Sequence, residues 1–357
     1  MSILIADQLS ETSVRLVSAE LDRIFSAKAA AAGERTPLGQ LWRLAAARTH
    51  GGKYVRPLTF LSTLESLSPG AATSPQPATL VRLAAALELL HYSFLLHDDV
   101  IDGDTVRRGR PNLIGQLAAE HSGDRQRALH WARSCAILMG DLLLAEVHQL
   151  IARVDLTAPQ RTRALDLIAH ALTDSVAGEL LDVGMSDRVI EPNLATTLDM
   201  CRLKTATYSF ELPLRLAAAL IDAPPEIEQA LAAAGRHLGI AYQLRDDLLS
   251  TFSDASAHGK DAFSDLREGK ETAVIAYARM TSRWALIEPH FGSVALTEAT
   301  GLEVRRILTE CGAHSFVSGL IDDELRAFRE VLATSDLPQP ARDTLSGLAS
   351  ALADRTS

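Results

Sequence analysis

The sequence predicts an all-α fold, a single-domain bundle of about ten or more helices over residues 1–357. Alanine and leucine are abundant, aromatic residues make up only 5% of the chain, and Ala and Leu lose little rotamer freedom in a helix. Apolar residues recur with helical periodicity between breaks. No internal repeat or low-complexity linker divides the chain, and its 47% hydrophobic content allows one sizeable core.

Short breaks rich in Gly, Pro, Ser and Thr set the expected helix ends. Pro213 falls inside the otherwise helical stretch Leu194–Leu220, and we expect it to kink that helix. The C-terminal region, Ala299–Ser357, is expected to be helical and to carry no chemistry. The breaks lie at Ser68–Thr79, Thr157–Pro159, Met185–Asn193, Asp222–Pro225, Ser250–Lys260 and Ser335–Pro340.

Charge and cysteine content exclude several classes of protein. The net charge is -10, and no long basic stripe is present, so nucleic acid is not an expected partner. Cys135, Cys201 and Cys311 are too scattered for a disulfide framework or a short-spaced zinc site. Because we find no signal peptide and no apolar run of membrane-span length, we expect a cytoplasmic protein without stable membrane insertion.

The stretch from Leu80 to Asp102 is the most informative helix. At about 100° per residue, His91, Asp98 and Asp102 lie within roughly 20° of one line. Two inward carboxylates without partners would cost several kcal/mol per ion, and a bound cation would compensate them. Carboxylates one turn apart suit magnesium, which keeps several waters and takes its other ligands from a phosphate.

A basic loop follows these aspartates. Arg107, Arg108 and Arg110 carry guanidinium groups that match multiply charged phosphate. The alternative is an acidic helix end that only forms surface salt bridges with this loop.

A second acidic helix end contains Gln243, Asp246 and Asp247, with Lys260 and Lys270 further along. Two such ends facing each other across a cavity would hold a cluster of magnesium ions. The alternative is that the second pair of aspartates is solvated.

Two shorter motifs are weak when taken alone. In the segment Gly51–Arg56 a glycine pair lets the backbone approach an anion while Lys53 and Arg56 supply charge. The pair Lys204–Thr205 places an ammonium beside a hydroxyl on the helix that contains Pro213. Each could equally be an ordinary helix connection or helix surface.

The motifs in their order resemble the trans-isoprenyl diphosphate synthases, the polyprenyl synthetase family, and the resemblance spans about Gly51 to Thr272. The spacing from the first aspartates to the double arginine is its most specific part. The residues that carry it are Gly51-Gly52-Lys53, Arg56-Pro57, Asp98-Asp99-Val100-Ile101-Asp102, Arg107-Arg108-Gly109, Lys204-Thr205, Gln243, Asp246-Asp247 and Gly259-Lys260.

The resemblance implies an isoprenoid synthase type of bundle around a central active-site cavity. It implies a prenyltransferase that joins isopentenyl diphosphate head to tail to an allylic diphosphate. Three magnesium ions on Asp98, Asp102 and Asp246 are implied as cofactors, and a homodimer is expected because the family is dimeric.

The resemblance also implies roles for individual residues. The catalytic set is Asp98, Asp102, Arg107, Lys204 and Asp246. Isopentenyl diphosphate would contact Gly52, Lys53, Arg56, His91 and Arg108. The allylic diphosphate would contact Arg107, Lys204, Thr205, Gln243, Lys260 and Lys270.

The resemblance implies that product length depends on the residues one turn before the first aspartate. Phe94 lies about 6 Å up the helix axis from Asp98 and some 40° around it, where a bulky side chain would act as a floor for the growing chain. Ser93 beside it is small, so the floor is partial. We therefore expect geranylgeranyl diphosphate first and farnesyl diphosphate second. The alternative is that Phe94 only packs in the bundle and that another helix or the dimer partner sets the depth.

Two residues depart from the family pattern. Tyr54 stands where a second basic residue is usual, and Ser250 replaces the last aspartate of the second motif. A class I terpene cyclase would not need Lys53, Arg56 and Arg108. A non-catalytic subunit of a heteromeric prenyltransferase would not keep the first aspartate motif intact.

Overall fold

The computed structural model describes residues 2–49, 51–68, 75–121, 123–252, 263–293 and 295–353. Within these ranges the chain is helical nearly throughout, which confirms the all-α prediction. Two compact units make up the chain, residues 1–165 and 166–357, and each is described by itself. A single domain over residues 1–357 stays a prediction.

The first unit consists of helices and one small hairpin. Its expected break after Ser68 is confirmed, because one helix ends at Leu67 and the next begins at Pro77. The elements are α1 (Ser2–Ala32), α2 (Pro37–Thr49), α3 (Val55–Leu67), α4 (Pro77–Ile101), β1 (Val106–Arg107), β2 (Arg110–Pro111), α5 (Leu113–Glu120), α6 (Arg125–Arg153) and the start of α7 (Ala158–Ser186).

Helices α4 and α6 pack against each other and form the centre of this unit. A Cβ atom at Gly140 would come within 2.4 Å of Nε2 of His97, so a glycine at this position lets α6 approach α4 closely. Both helices are long and apolar enough to cross a membrane by length and composition alone, contrary to our reading of the sequence. Burial accounts for the apolar character of α4, since most of its apolar stretch lies inside the unit.

In the second unit, α10 packs against α15 and against a π-helix. Leu244, Val274, Ile307 and Val317 belong to its hydrophobic core. The elements after α7 are α8 (Leu194–Cys201), the π-helix (Arg202–Glu211), α9 (Leu212–Leu220), α10 (Pro225–Phe252), α11 (Ser264–Glu268), α12 (Ala273–Arg279), α13 (Trp284–Ile287), a 3₁₀ turn (Glu288–His290), α14 (Glu298–Glu310), α15 (Ala313–Thr334) and α16 (Gln339–Ala353).

The helix that contains Pro213 is preceded by a stretch of π-helix. A π-helix of 10 residues precedes the proline, and the N–H of Leu212 donates to the carbonyl of Thr207, five residues earlier. Proline lacks an N–H and crowds the carbonyl four residues before it, which is consistent with a locally widened turn before Pro213. The kink itself stays a prediction. The π-helix carries Lys204 and Thr205, and π-helical turns are frequent at functional sites.

Candidate active site

The first aspartate motif closes helix α4, as its periodicity predicts. Asp98 is partly exposed in the last turn, and Asp102 caps the helix by donating its N–H to the Asp98 carbonyl at 2.8 Å. Asp99, the next residue, is only 3% exposed. The motif thus offers solvent-accessible carboxylates at Asp98 and Asp102, with a buried one between them.

A two-residue turn directs Arg107 back onto this motif. Arg108 and Gly109 both have positive φ, 54° and 69°, as in the type I′ turns that suit the twist of a hairpin. Nε of Arg107 donates to Oδ1 of Asp99 at 2.9 Å, and Nη2 donates to Oδ2 of Asp98 at 3.1 Å. The predicted basic loop therefore contacts the aspartates directly.

Burial opposes the charged forms of Asp99 and Arg107, whereas their mutual attraction favours these forms. Burial raises the pKa of Asp99 to about 6, although the adjacent Arg107 lowers it. Burial also works against the charge of Arg107, but Asp99 and Asp98 outweigh it and raise the pKa of the guanidinium above its ordinary value. At neutral pH both partners are charged.

Arg108 lies on the other side of the hairpin, near Gly52. A Cβ atom at Gly52 would lie 3.5 Å from Nη1 of Arg108 and 3.6 Å from Oε1 of Glu88. Glu88 is 8% exposed, and burial raises its pKa while Arg56 and Arg108 lower it. Sequence reasoning missed Glu88, although it lies one turn before His91 on the same helix.

His91 lies within the electrostatic reach of three arginines. Part of the residue reaches solvent, yet burial, together with Arg56, Arg107 and Arg108, holds the pKa of its imidazole well below the usual range. The ring is therefore neutral at pH 7. A neutral imidazole can still donate one hydrogen bond to a phosphate oxygen.

Lys53 and Tyr54 precede α3 and differ in exposure. Lys53 is exposed. Tyr54 is buried with φ +47°, its hydroxyl lies 3.4 Å from the Thr49 carbonyl, and it interacts with Ser18 of α1. Burial raises the pKa of Tyr54. The residue that departs from the family pattern therefore packs against α1.

In the second unit, Lys204 is bound by two carboxylates that sequence reasoning did not assign. Its Nζ lies 2.6 Å from Oδ2 of Asp182 and 2.8 Å from Oε2 of Glu179, both on α7. A Cβ atom at Gly178 would lie 2.2 Å from the backbone nitrogen of Lys204, so only glycine lets α7 come this close to the π-helix.

Thr205 and the second aspartate motif are linked through Gln243. The Thr205 hydroxyl donates to Oε1 of Gln243 at 2.7 Å, and Nε2 of Gln243 donates to Oδ1 of Asp247 at 2.8 Å. Asp247 is 6% exposed, and its Oδ2 has no hydrogen-bond partner in the part of the chain that the structure describes. Burial, reinforced by Asp265 and Asp246, raises its pKa to about 8 against the effect of Gln243. Asp246, in contrast, is exposed.

Ser250 lies beside another carboxylate. Its Oγ is 2.5 Å from Oδ2 of Asp265 and 3.0 Å from the Asp247 carbonyl. Asp265 also holds the later segment, because its carbonyl accepts the N–H of Lys270 at 2.9 Å. Nζ of Lys270 lies 3.4 Å from Glu268. Lys260 lies outside the described residues.

The donors fit magnesium only in part. Among the described residues, no group of three or more His, Cys, Asp or Glu side chains is placed to hold a metal ion. The available donors are hard carboxylate oxygens at two helix ends. Such donors suit magnesium when water and phosphate oxygens complete its coordination.

Comparisons with known proteins agree with these motifs. The polyprenyl synthetase family profile matches residues 41–293. A geranylfarnesyl diphosphate synthase from Aeropyrum pernix is 33% identical over 66% of this chain and 70% of its own length. A (2E,6E)-farnesyl diphosphate synthase from Mycobacterium bovis is 30% identical over 79% of this chain and 67% of its own.

A solved structure is similar over nearly the whole chain. It is a geranylgeranyl pyrophosphate synthase from Corynebacterium glutamicum complexed with isoprenyl diphosphate and magnesium. The TM-score is 0.88 at 27% identity, over 96% of this chain and 98% of that one. The profile match covers well over half of the chain. The chain therefore belongs to the polyprenyl synthetase family and is a prenyltransferase of the prenyl diphosphate synthase type.

Proposed function

We propose that the protein makes geranylgeranyl diphosphate by magnesium-dependent, head-to-tail condensation of isopentenyl diphosphate with an allylic diphosphate. The observation that carries this proposal is the hairpin. Arg107 contacts the aspartate motif, while the next residue, Arg108, lies beside Gly52 and near the charge of Glu88. Two adjacent anion sites suit two diphosphate reactants, whereas a terpene cyclase needs only one.

In this proposal each substrate has its own set of residues. Magnesium on Asp98, Asp102 and Asp246, three ions in all, would supply charge neutralisation for the departing pyrophosphate. The set around Arg108 would hold isopentenyl diphosphate. Its double bond would form the new carbon–carbon bond with the allylic carbon that pyrophosphate leaves. The product would then lose a proton, which the released pyrophosphate would accept. The set around Arg108 is Gly52, Lys53, Arg56, His91 and Arg108; the allylic set is Arg107, Lys204, Thr205, Gln243, Lys260 and Lys270.

Phe94 supports a product of intermediate length. Ser93 is fully buried, and its hydroxyl donates to the Leu90 carbonyl, so it adds little bulk beyond the helix surface. Phe94 is partly buried one turn before Asp98. The named relatives make products of different length, and farnesyl diphosphate remains the second candidate.

Exposed apolar side chains support the expected homodimer. In the first unit, Trp131 and Leu138 are exposed two turns apart on α6. In the second unit, Val176 and Leu180 are exposed one turn apart on α7. We place this dimer in the cytoplasm. Light scattering coupled to gel filtration should give twice the monomer mass, and Leu138→Glu should reduce it.

The function is tested by incubating the purified protein with magnesium and labelled isopentenyl diphosphate. Dimethylallyl, geranyl and farnesyl diphosphates are supplied in separate reactions, and the dephosphorylated products are sized. A twenty-carbon alcohol is expected. No incorporation with any starter would contradict the proposal and favour a cyclase or a non-catalytic subunit.

A further inference from the structure

A buried glutamate lies among the cationic residues of the first unit. Glu88 is on the buried stretch of α4, and its Oε2 makes no hydrogen bond with the described residues. Its Oε1 and Nη1 of Arg108 are both within 4 Å of the same point above Gly52. A buried carboxylate oxygen without a hydrogen-bond donor is costly, so the presence of Glu88 here needs a reason.

The charges around Glu88 supply that reason. Arg56 and Arg108 are the two groups whose charge favours its ionised form. His91, one turn later, is kept neutral by burial and by the arginines, so it adds no positive charge. Burial favours the neutral form of Glu88, against the effect of these two arginines. In its ionised form, the carboxylate cancels one unit of positive charge at the place where an anion would bind.

We propose that Glu88 is a resident counter-ion of the Arg56–Arg108 site and that it weakens the affinity of this site for diphosphate. The proposal rests on the assignment of this site to isopentenyl diphosphate, whose diphosphate group must compete with Glu88 for the same guanidinium groups. Without the counter-ion, released pyrophosphate would occupy the site tightly. Glu88 is thus a positioning residue that favours turnover over product retention.

Binding of inorganic pyrophosphate, measured by calorimetry in EDTA, tests this role without requiring catalysis. Glu88→Gln keeps the shape of the side chain and removes its charge. We expect it to bind pyrophosphate about tenfold more tightly than the wild type, since one nearby opposing charge has been removed. Glu88→Asp, which keeps the charge, should stay within about threefold of the wild type.

Two further variants test whether the tighter pyrophosphate binding arises at the Arg56–Arg108 site. Glu65→Gln removes an exposed carboxylate from α3 and should change the affinity less than about twofold. Adding Arg108→Gln to Glu88→Gln should abolish the gain, as expected if the two residues act at one site. In turnover assays, Glu88→Gln should show stronger inhibition by pyrophosphate and a lower kcat. Should the wild type prove inactive, the binding measurements still decide the role of Glu88.

Unchanged or weaker pyrophosphate binding by folded Glu88→Gln would overturn the proposal. A gain that survives Arg108→Gln would overturn it too, because the anion would then bind elsewhere. If Glu88→Gln does not fold, Glu88→Met provides an uncharged side chain of similar size, with the same expected tightening. Failure of both variants to fold would assign Glu88 to stability and would also overturn the proposal.

Discussion

The two aspartate motifs compensate their charges in different ways. In the first unit, the buried Asp99 is paired with Arg107 of the hairpin that follows it. In the second, Lys204 is bound by Asp182 and Glu179 of α7, and the buried Asp247 accepts a hydrogen bond from the side-chain amide of Gln243. Similar sequence motifs thus produce a buried carboxylate that is ionised and one that is protonated near pH 7.

The largest expected effect concerns the exposed carboxylate of the first motif. Asp98→Ala should lower turnover by about a thousandfold, because it removes one of the proposed ligands for the magnesium that would assist pyrophosphate departure. The fold should persist, since Asp98 is partly exposed and Arg107 keeps its hydrogen bond to Asp99. Steady-state kinetics and circular dichroism check both parts. Normal turnover with unchanged magnesium dependence would contradict the mechanism.

The buried ion pair of the first unit should matter most for stability. Asp99→Asn removes the more buried of the two carboxylates that form ion pairs with Arg107 and should lower the free energy of unfolding by about 3 kcal/mol. Asp98→Asn, at the more exposed partner, should cost less than about 1 kcal/mol. Urea unfolding at pH 7.5 gives both values. Equal losses would mean that burial does not distinguish the two aspartates.

The second unit should respond to pH in the opposite sense to an ordinary salt-bridged aspartate. The pKa of Asp247 is raised to about 8, so the folded protein holds a proton that the unfolded chain releases near pH 4. Stability should therefore decrease as pH rises from about 4 to 8. Asp247→Asn should remove part of this decrease, about 2 kcal/mol between pH 6 and 8. Urea unfolding in EDTA at both pH values tests the difference, and parallel curves for the two proteins would refute it.

The smallest effect is expected at Ser250. Ser250→Asp restores the residue that the family usually has, but it brings a second carboxylate against Asp265. We expect a loss of about 1 kcal/mol in the absence of magnesium because like charges repel. Ser250→Asn is the uncharged control. A thermal shift series with and without magnesium measures this, and stabilisation of Ser250→Asp in EDTA would contradict the role given to Asp265.

The sequence predicted the helices well because their boundaries depend on local chemistry. Breaks at Asp222–Pro225 and Ser335–Pro340 separate helices as expected. The π-helix was missed, since an i to i−5 register leaves no distinct pattern in composition. This π-helix carries Lys204, whose Nζ forms ion pairs with Glu179 and Asp182 of α7.

The sequence predicted the motif residues of the candidate site. It did not predict the carboxylates that surround them. Glu88, Asp182 and Asp265 are far in sequence from the arginines, lysine and serine that they influence. Helix spacing relates Glu88 to His91 but does not reveal these distant partners. Tyr54 stands where a second basic residue is usual, and its side chain is buried beside α1. Such contacts depend on tertiary packing, which one sequence does not specify.

The turn at Arg108–Gly109 has a consequence for engineering the protein. Because only two residues connect the strands, the hairpin has little freedom to bend, and Arg107 and Arg108 must shift together. A substitution that tilts the hairpin to suit a bulkier allylic diphosphate would also displace the guanidinium of Arg108, which the proposed function assigns to isopentenyl diphosphate. In the proposed function, specificity for the two reactants is therefore mechanically coupled at this hairpin, and selective redesign should begin on α3 or α10 instead.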